Sequence, residues 1–137
     1  MQLDDLYRQV IMDHYTHPRN QGELVEDALT VDLKNPTCGD EIRLQLLTKD
    51  EIVQDVKFRG VGCSISIASA SMMTEAIKGK PIAEALEIAQ EFRKLVRGEE
   101  ADMDALGELE SLAGVSKFPA RVKCATLAWN ALERVNQ

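Results

Sequence analysis

Leu3, Leu6, Tyr7, Val10, Ile11, His14 and Tyr15 recur three and four residues apart, which puts them on one face and predicts an amphipathic helix over 3–15. Pro18 and Gly22 then punctuate a turn. Beyond them the period changes to two. Leu29, Val31 and Leu33 alternate with Thr30 and Asp32, and Ile42, Leu44 and Leu46 with Arg43 and Gln45. Ile52, Val56 and Phe58 share one side, with Asp55, Lys57 and Arg59 on the other. Such alternation predicts three strands with one wet face, and Lys49-Asp50 predicts an antiparallel hairpin between the second and third. From Ser64 onward the period is helical again. Ile65, Ala68, Met72 and Ala76 mark one helix, in which small side chains imply close packing. Gly79 ends it and Pro81 starts the next, whose stripe is Ile82, Ala85, Leu86, Ala89, Phe92 and Val96. After an acidic connection a short helix is expected over 104–113, ended by Gly114, and Pro119 opens a last helix running to about Val135. The expected fold is α+β: a small three-stranded antiparallel sheet with helices packed on one face, residues 1–137 forming one domain.

Composition narrows the function classes. The 137 residues are 45% hydrophobic and 28% charged, the balance of a globular domain. A net charge of -7 argues against a broad nucleic-acid face, which needs clustered Lys and Arg. No apolar run approaches the roughly 20 residues needed to span a bilayer. The opening MQLDDLYRQ has acids where a signal peptide has a basic and then an apolar region. The expectation is a cytoplasmic protein that binds neither nucleic acid nor membrane.

Three cysteines, Cys38, Cys63 and Cys124, cannot all pair with one another. One reading makes them unrelated buried apolar residues. The other brings them together. Cys38 sits in Asn35-Pro36-Thr37-Cys38-Gly39-Asp40, the turn between the first two strands, and Cys63 follows the third strand. In an antiparallel sheet these places lie at one end. Cys124 joins them if the last helix packs with its N-terminus there. Gly39 lets the backbone bend so that Cys38 and Asp40 face one point, giving three thiolates and a carboxylate for tetrahedral zinc. A strand-end aspartate bonded to its own backbone is the alternative for Asp40. Arg121 and Lys123 either offset the site's excess negative charge or form a solvated basic helix start. His14 reads as a hydrogen-bonded packing residue, His17 as a turn residue and Trp129 as core. There is no glycine-rich phosphate loop and no G-x-S-x-G elbow.

With these residues placed, the chain resembles the U-type iron–sulfur cluster assembly family, which includes IscU and the N-terminal domain of NifU. The resemblance runs through Leu6-Tyr7, Ile11-Met12-Asp13-His14-Tyr15, Pro18-Arg19-Asn20 and Gly22. It continues in Asn35–Asp40, Gly62-Cys63-Ser64-Ile65-Ser66 and Arg121-Val122-Lys123-Cys124-Ala125-Thr126-Leu127-Ala128-Trp129. Lys123 stands where IscU proteins have histidine, and Phe118-Pro119-Ala120 departs from their proline-rich chaperone-recognition stretch. The acidic stretch from about Gly98 to Val115 looks like the insertion of the SufU branch.

The resemblance implies metal or cluster ligation by Cys38, Cys63 and Cys124, with Asp40 beside them. For the SufU branch it implies a zinc-dependent sulfurtransferase that is second substrate and activator of a SufS-type cysteine desulfurase. Docking would then release Cys38 as the sulfur acceptor, with Arg121 a basic group near the site. Sulfur would pass on to a SUF scaffold or to apo iron–sulfur proteins. Two alternatives remain at this point: a scaffold that builds a transient [2Fe–2S] cluster on Cys38, Cys63 and Cys124, and a structural zinc module used only for docking.

Overall fold

The computed structural model describes residues 3–24, 28–35 and 39–135. Helix α1 (Leu3–Thr16) leads to strands β1 (Leu29–Asn35), β2 (Asp40–Lys49) and β3 (Ile52–Val61). Helices α2 (Ser64–Ile77), α3 (Ile82–Val96), α4 (Met103–Leu106) and α5 (Pro119–Val135) follow, with 3₁₀ turns over Gly107–Lys117 between the last two. The strands form one antiparallel sheet in the order β1-β2-β3. Asn35 pairs with Asp40 and Glu41 with Val61, so the β1–β2 connection and the finish of β3 share one end of the sheet.

The fold is the expected α+β arrangement. Alternate residues Ile42, Leu44 and Leu46 of β2 are buried, and α2 and α5 cover that face, α2 over β3 and α5 over β1 and β2. Helix α2 is enclosed by α1, α3, α5, the sheet and the 3₁₀ turns, which is why ten of its residues are buried and why it needs small side chains. Its hydroxyls are satisfied there. Ser69 Oγ donates to the Ala125 carbonyl (2.6 Å) and accepts from Trp129 Nε1 (3.1 Å). Trp129 is fully buried and stacks on Phe92 with ring centroids 4.8 Å apart. His14 packs as expected, its Nδ1 2.7 Å from Ser71 Oγ and its Nε2 2.7 Å from Glu108 Oε2. Ser71 Oγ also accepts the Arg19 amide at 2.9 Å, and Glu108, an acceptor, takes the Nε2–H of His14.

Three details differ from the sequence reading. The β2–β3 register shifts between Leu47 and Thr48, and this bulge turns Val53 into the core while Ile52 is 43% exposed. Tyr15, expected on the buried face of α1, is exposed because that helix rests on α2 and the 3₁₀ turns rather than on the sheet. The single helix expected over 104–113 is instead α4, broken at Gly107 (φ +54°), followed by the 3₁₀ turns. Leu106, Leu109, Leu112 and Val115 are buried at intervals of three, the repeat of a 3₁₀ helix. No described helix is long and apolar enough to cross a membrane.

Candidate metal centre

Each side chain of the site is set by the start or end of an element. Asp40 is the first residue of β2, fully buried, and follows Gly39, whose φ of +74° turns the chain so that its amide reaches the Asn35 carbonyl (2.8 Å). Cys63 ends the β3–α2 connection and occupies the N-cap position of α2, with its carbonyl accepting from the Ile67 amide (3.2 Å) and Ser66 Oγ (3.0 Å). Cys124 lies in the second turn of α5, fully buried, its Sγ 3.8 Å from the Ala120 carbonyl.

These three residues converge. One ligand atom from each of Asp40, Cys63 and Cys124 falls within 4.8 Å of the others. Asp40 Oδ1 accepts the Cys63 backbone N–H at 3.0 Å, which pins the carboxyl, while Oδ2 is buried and has no hydrogen-bond partner among the described residues. A buried carboxylate oxygen without a donor is costly unless a cation completes it. Two thiols and one carboxylate oxygen suit a tetrahedral divalent ion of borderline softness, so the donor set fits the zinc expected from the sequence. Cys38, the expected fourth ligand, lies outside the described residues. Asn35 and Gly39, the described residues on either side of it, lie at the end of the sheet where Asp40 begins β2.

Burial and then the charge of Asp40 push the Cys63 thiol up, but hydrogen bonds with the Ser66 backbone, Cys124 and the Ser66 side chain outweigh them, and the net direction is down. Arg121, one turn before Cys124, is held above the ordinary guanidinium value by the charge of Cys63 and a hydrogen bond to it, and then by Cys124 in the same two ways. Of the two basic residues expected here, Arg121 is the one whose charge is coupled to the thiols. Arg121 itself remains exposed, open to solvent and to an incoming group. Sequence reasoning assigned no role to Gly62 or Ser66, yet both touch the ligands. A serine three residues into a helix behind a cysteine was the available signal.

Comparison with known proteins follows the same line. The family described as NifU-like N terminal domain matches residues 6–125. The chain is 60% identical over 133 residues to the zinc-dependent sulfurtransferase SufU of Bacillus subtilis, covering 96% of this chain and 90% of that one. It is 48% identical over 132 residues to the iron–sulfur cluster assembly scaffold protein IscU of Streptococcus pyogenes, covering 96% of this chain and 82% of that one. Among solved structures, a proposed iron–sulfur cluster assembly scaffold protein for the SUF system from Fervidobacterium islandicum superposes with a TM-score of 0.89 at 36% identity, over 97% of this chain and 98% of that one.

Proposed function

Because this chain belongs to the family of NifU-like N-terminal domains, we propose that it is a zinc-dependent sulfurtransferase that accepts persulfide sulfur from a SufS-type cysteine desulfurase for iron–sulfur cluster biogenesis. The observation that carries the proposal is the convergence of Asp40, Cys63 and Cys124 at the sheet end where the Cys38 segment begins and ends. In this reading residues 1–137 act as one domain in the cytoplasm, and Cys38, Asp40, Cys63 and Cys124 hold the ion. Bound zinc would keep the cysteines deprotonated near neutral pH.

The chain's own groups then do the rest. Cys38, as thiolate, would attack the outer sulfur of the desulfurase persulfide. The new Cys38 S–S bond forms as the desulfurase S–S bond breaks, and the desulfurase cysteine leaves as thiolate, so no outside oxidant or reductant is needed. Asp40 and Cys63 stay tied together through the 3.0 Å bond, and Arg121 offsets negative charge as thiolates exchange. The test is desulfurase turnover with and without this protein. Stimulation that disappears in Cys38→Ala is expected; no stimulation, or an undiminished effect in Cys38→Ala, refutes the reading.

The 48% identity to a named scaffold protein favours a second reading, in which Cys38, Cys63 and Cys124 hold a transient [2Fe–2S] cluster for transfer to apo-proteins. Anaerobic reconstitution followed by transfer to an apo-acceptor supports it. One equivalent of tightly held zinc that blocks cluster assembly counts against it.

A further inference from the structure

We infer that Gly62 is a positioning residue for the metal centre: the space left by its missing side chain is the slot that holds the Asp40 carboxyl against the Cys63 amide. The inference rests on the reading of Asp40, Cys63 and Cys124 as ligands and adds a residue that touches no ion. A β-carbon built on Gly62 would lie 2.3 Å from Asp40 Oδ1, 2.9 Å from Asp40 Cγ and 2.6 Å from Ser66 Oγ. Contacts that short are repulsive, so one of the partners must leave.

Asp40 has little freedom to yield in place. Its backbone is paired with Asn35, its neighbour Glu41 is paired with Val61, and its side chain is fully buried. Moving the carboxyl therefore means breaking the 3.0 Å bond to the Cys63 N–H and taking the carboxylate away from Cys63 and Cys124. Ser66 is also committed, its Oγ 3.0 Å from the Cys63 carbonyl and 3.8 Å from Cys63 Sγ. Gly62 also has a positive φ of +158°, so a side chain there meets backbone strain as well as the clash with Asp40. At Gly39 a β-carbon meets nothing within 4 Å, so the constraint there comes from its φ of +74° alone. Gly62 thus decides whether the site includes a carboxylate donor. With a side chain at 62 the ion would lose Asp40 and take water in its place, a donor set with one negative charge fewer.

The experiment compares wild type, Gly62→Ala, Asp40→Ala and the double variant. Zinc affinity is read by competition with a chromophoric chelator, the visible spectrum is recorded with Co²⁺ in place of zinc, and melting is followed without metal. If Gly62 acts through Asp40, each single variant weakens zinc binding by a similar factor, at least the roughly 10–100-fold that losing a group orienting a metal ligand costs. The two cobalt spectra then coincide with each other and differ from wild type, which a merely structural role would not produce. The double variant binds zinc no more weakly than Asp40→Ala. Wild-type affinity in Gly62→Ala overturns the inference, as does a second, equal loss in the double variant, which would place the effect in Ser66 or the fold. Should Gly62→Ala alone fail to fold, removal of the Asp40 carboxyl must restore folding; failure to do so overturns the inference as well. Wild-type protein with no zinc affinity refutes the ligand reading itself, an outcome distinct from normal wild-type affinity with an indifferent Gly62→Ala.

Discussion

Replacing Asp40 with alanine separates what its carboxyl does for the fold from what it does for the ion. In the metal-free protein the substitution forfeits the Cys63 N–H to Oδ1 bond of 3.0 Å. A hydrogen bond to a charged group contributes about 1.5–3 kcal/mol. The same substitution removes Oδ2, a buried acceptor without a hydrogen-bond partner among the described residues. Leaving such an atom unsatisfied costs about 1–3 kcal/mol. The two effects are of similar size and opposite sign, so the metal-free stability should change by no more than about 1–2 kcal/mol. In the zinc-loaded protein one of the ligands disappears. A 10–100-fold loss of affinity at fixed, near-saturating zinc lowers the ligand-linked stability by about 1.4–2.7 kcal/mol. For 137 residues the unfolding entropy at about 2.1 cal/mol/K per residue is about 0.29 kcal/mol/K, so the zinc-induced rise in Tm should shrink by about 5–9 °C. Thermal melts at buffered free zinc and with excess chelator measure both quantities on one preparation. A metal-free Tm that falls by more than the lost zinc increment would refute the reasoning, because the carboxyl would then be a structural group first and a ligand second.

Three further outcomes are expected. His14→Ala removes contacts to Ser71 and Glu108 and opens a hole where α1, α2 and the 3₁₀ turns meet; urea melts should show a loss of about 2–4 kcal/mol with zinc affinity unchanged, and a loss under about 1 kcal/mol would contradict the packing role. Gly60→Ala would set a β-carbon 2.6 Å from Ile42 Cδ1 and 2.7 Å from the Glu41 carbonyl oxygen, and since that oxygen belongs to a paired strand the variant should lose about 1–3 kcal/mol, read by the same melts, a neutral result showing that β2 and β3 can separate locally. The Arg43 hydrogen bond, opposed by burial and joined by the charges of Arg43 and Lys34, holds the Asp32 carboxyl below its ordinary value; the pair's contribution is then fully present above the ordinary carboxylate range and is lost as pH falls through the lowered value, and carboxyl NMR should show Asp32 titrating upward in Arg43→Gln, with an unmoved titration excluding the pair as the cause.

The elements whose residues carry a local signal were legible in the chain. Pro119 fixes the start of α5, period-two alternation marks all three strands, and the small residues of α2 announce a helix packed on every side. The failures are equally local in cause. The bulge at Leu47/Thr48 shifts Val53 inward and Ile52 outward, and a period of two cannot reveal an extra residue. The one short helix expected over 104–113 divides at Gly107 into α4 and 3₁₀ turns, and the signal for the turns is the repeat of Leu106, Leu109, Leu112 and Val115 every three residues. The site was legible only in part. Gly39 and Asp40 follow Cys38 within two residues, but the meeting of Asp40 with Cys63 and Cys124 depends on strand order and on which way α5 runs, and both emerge from long-range packing. The slot at Gly62 is further from reach, since it exists only once the register has placed Asp40 beside the β3–α2 connection.

The distribution of the ligands bears on the structural-zinc alternative. Asp40 comes from the start of β2, Cys63 from the end of the β3–α2 connection and Cys124 from the second turn of α5, so an ion held by them would join three elements. Domains that need a metal to fold are short and lack a sufficient core. Here the core beneath the site is large: Trp129, Phe58, Phe92, Ile42, Leu44, Leu46 and Met73 are all buried to within 2% exposure, and they join the same three elements without using a ligand. An ion added to such a frame contributes linkage stability set by its concentration and affinity rather than the fold itself. That leaves the ligands free to exchange, which a sulfur-accepting thiolate requires and a purely structural zinc does not. Loss of sulfur transfer with a retained fold in Cys38→Ala would exclude the structural reading, whereas unfolding of every ligand variant would restore it.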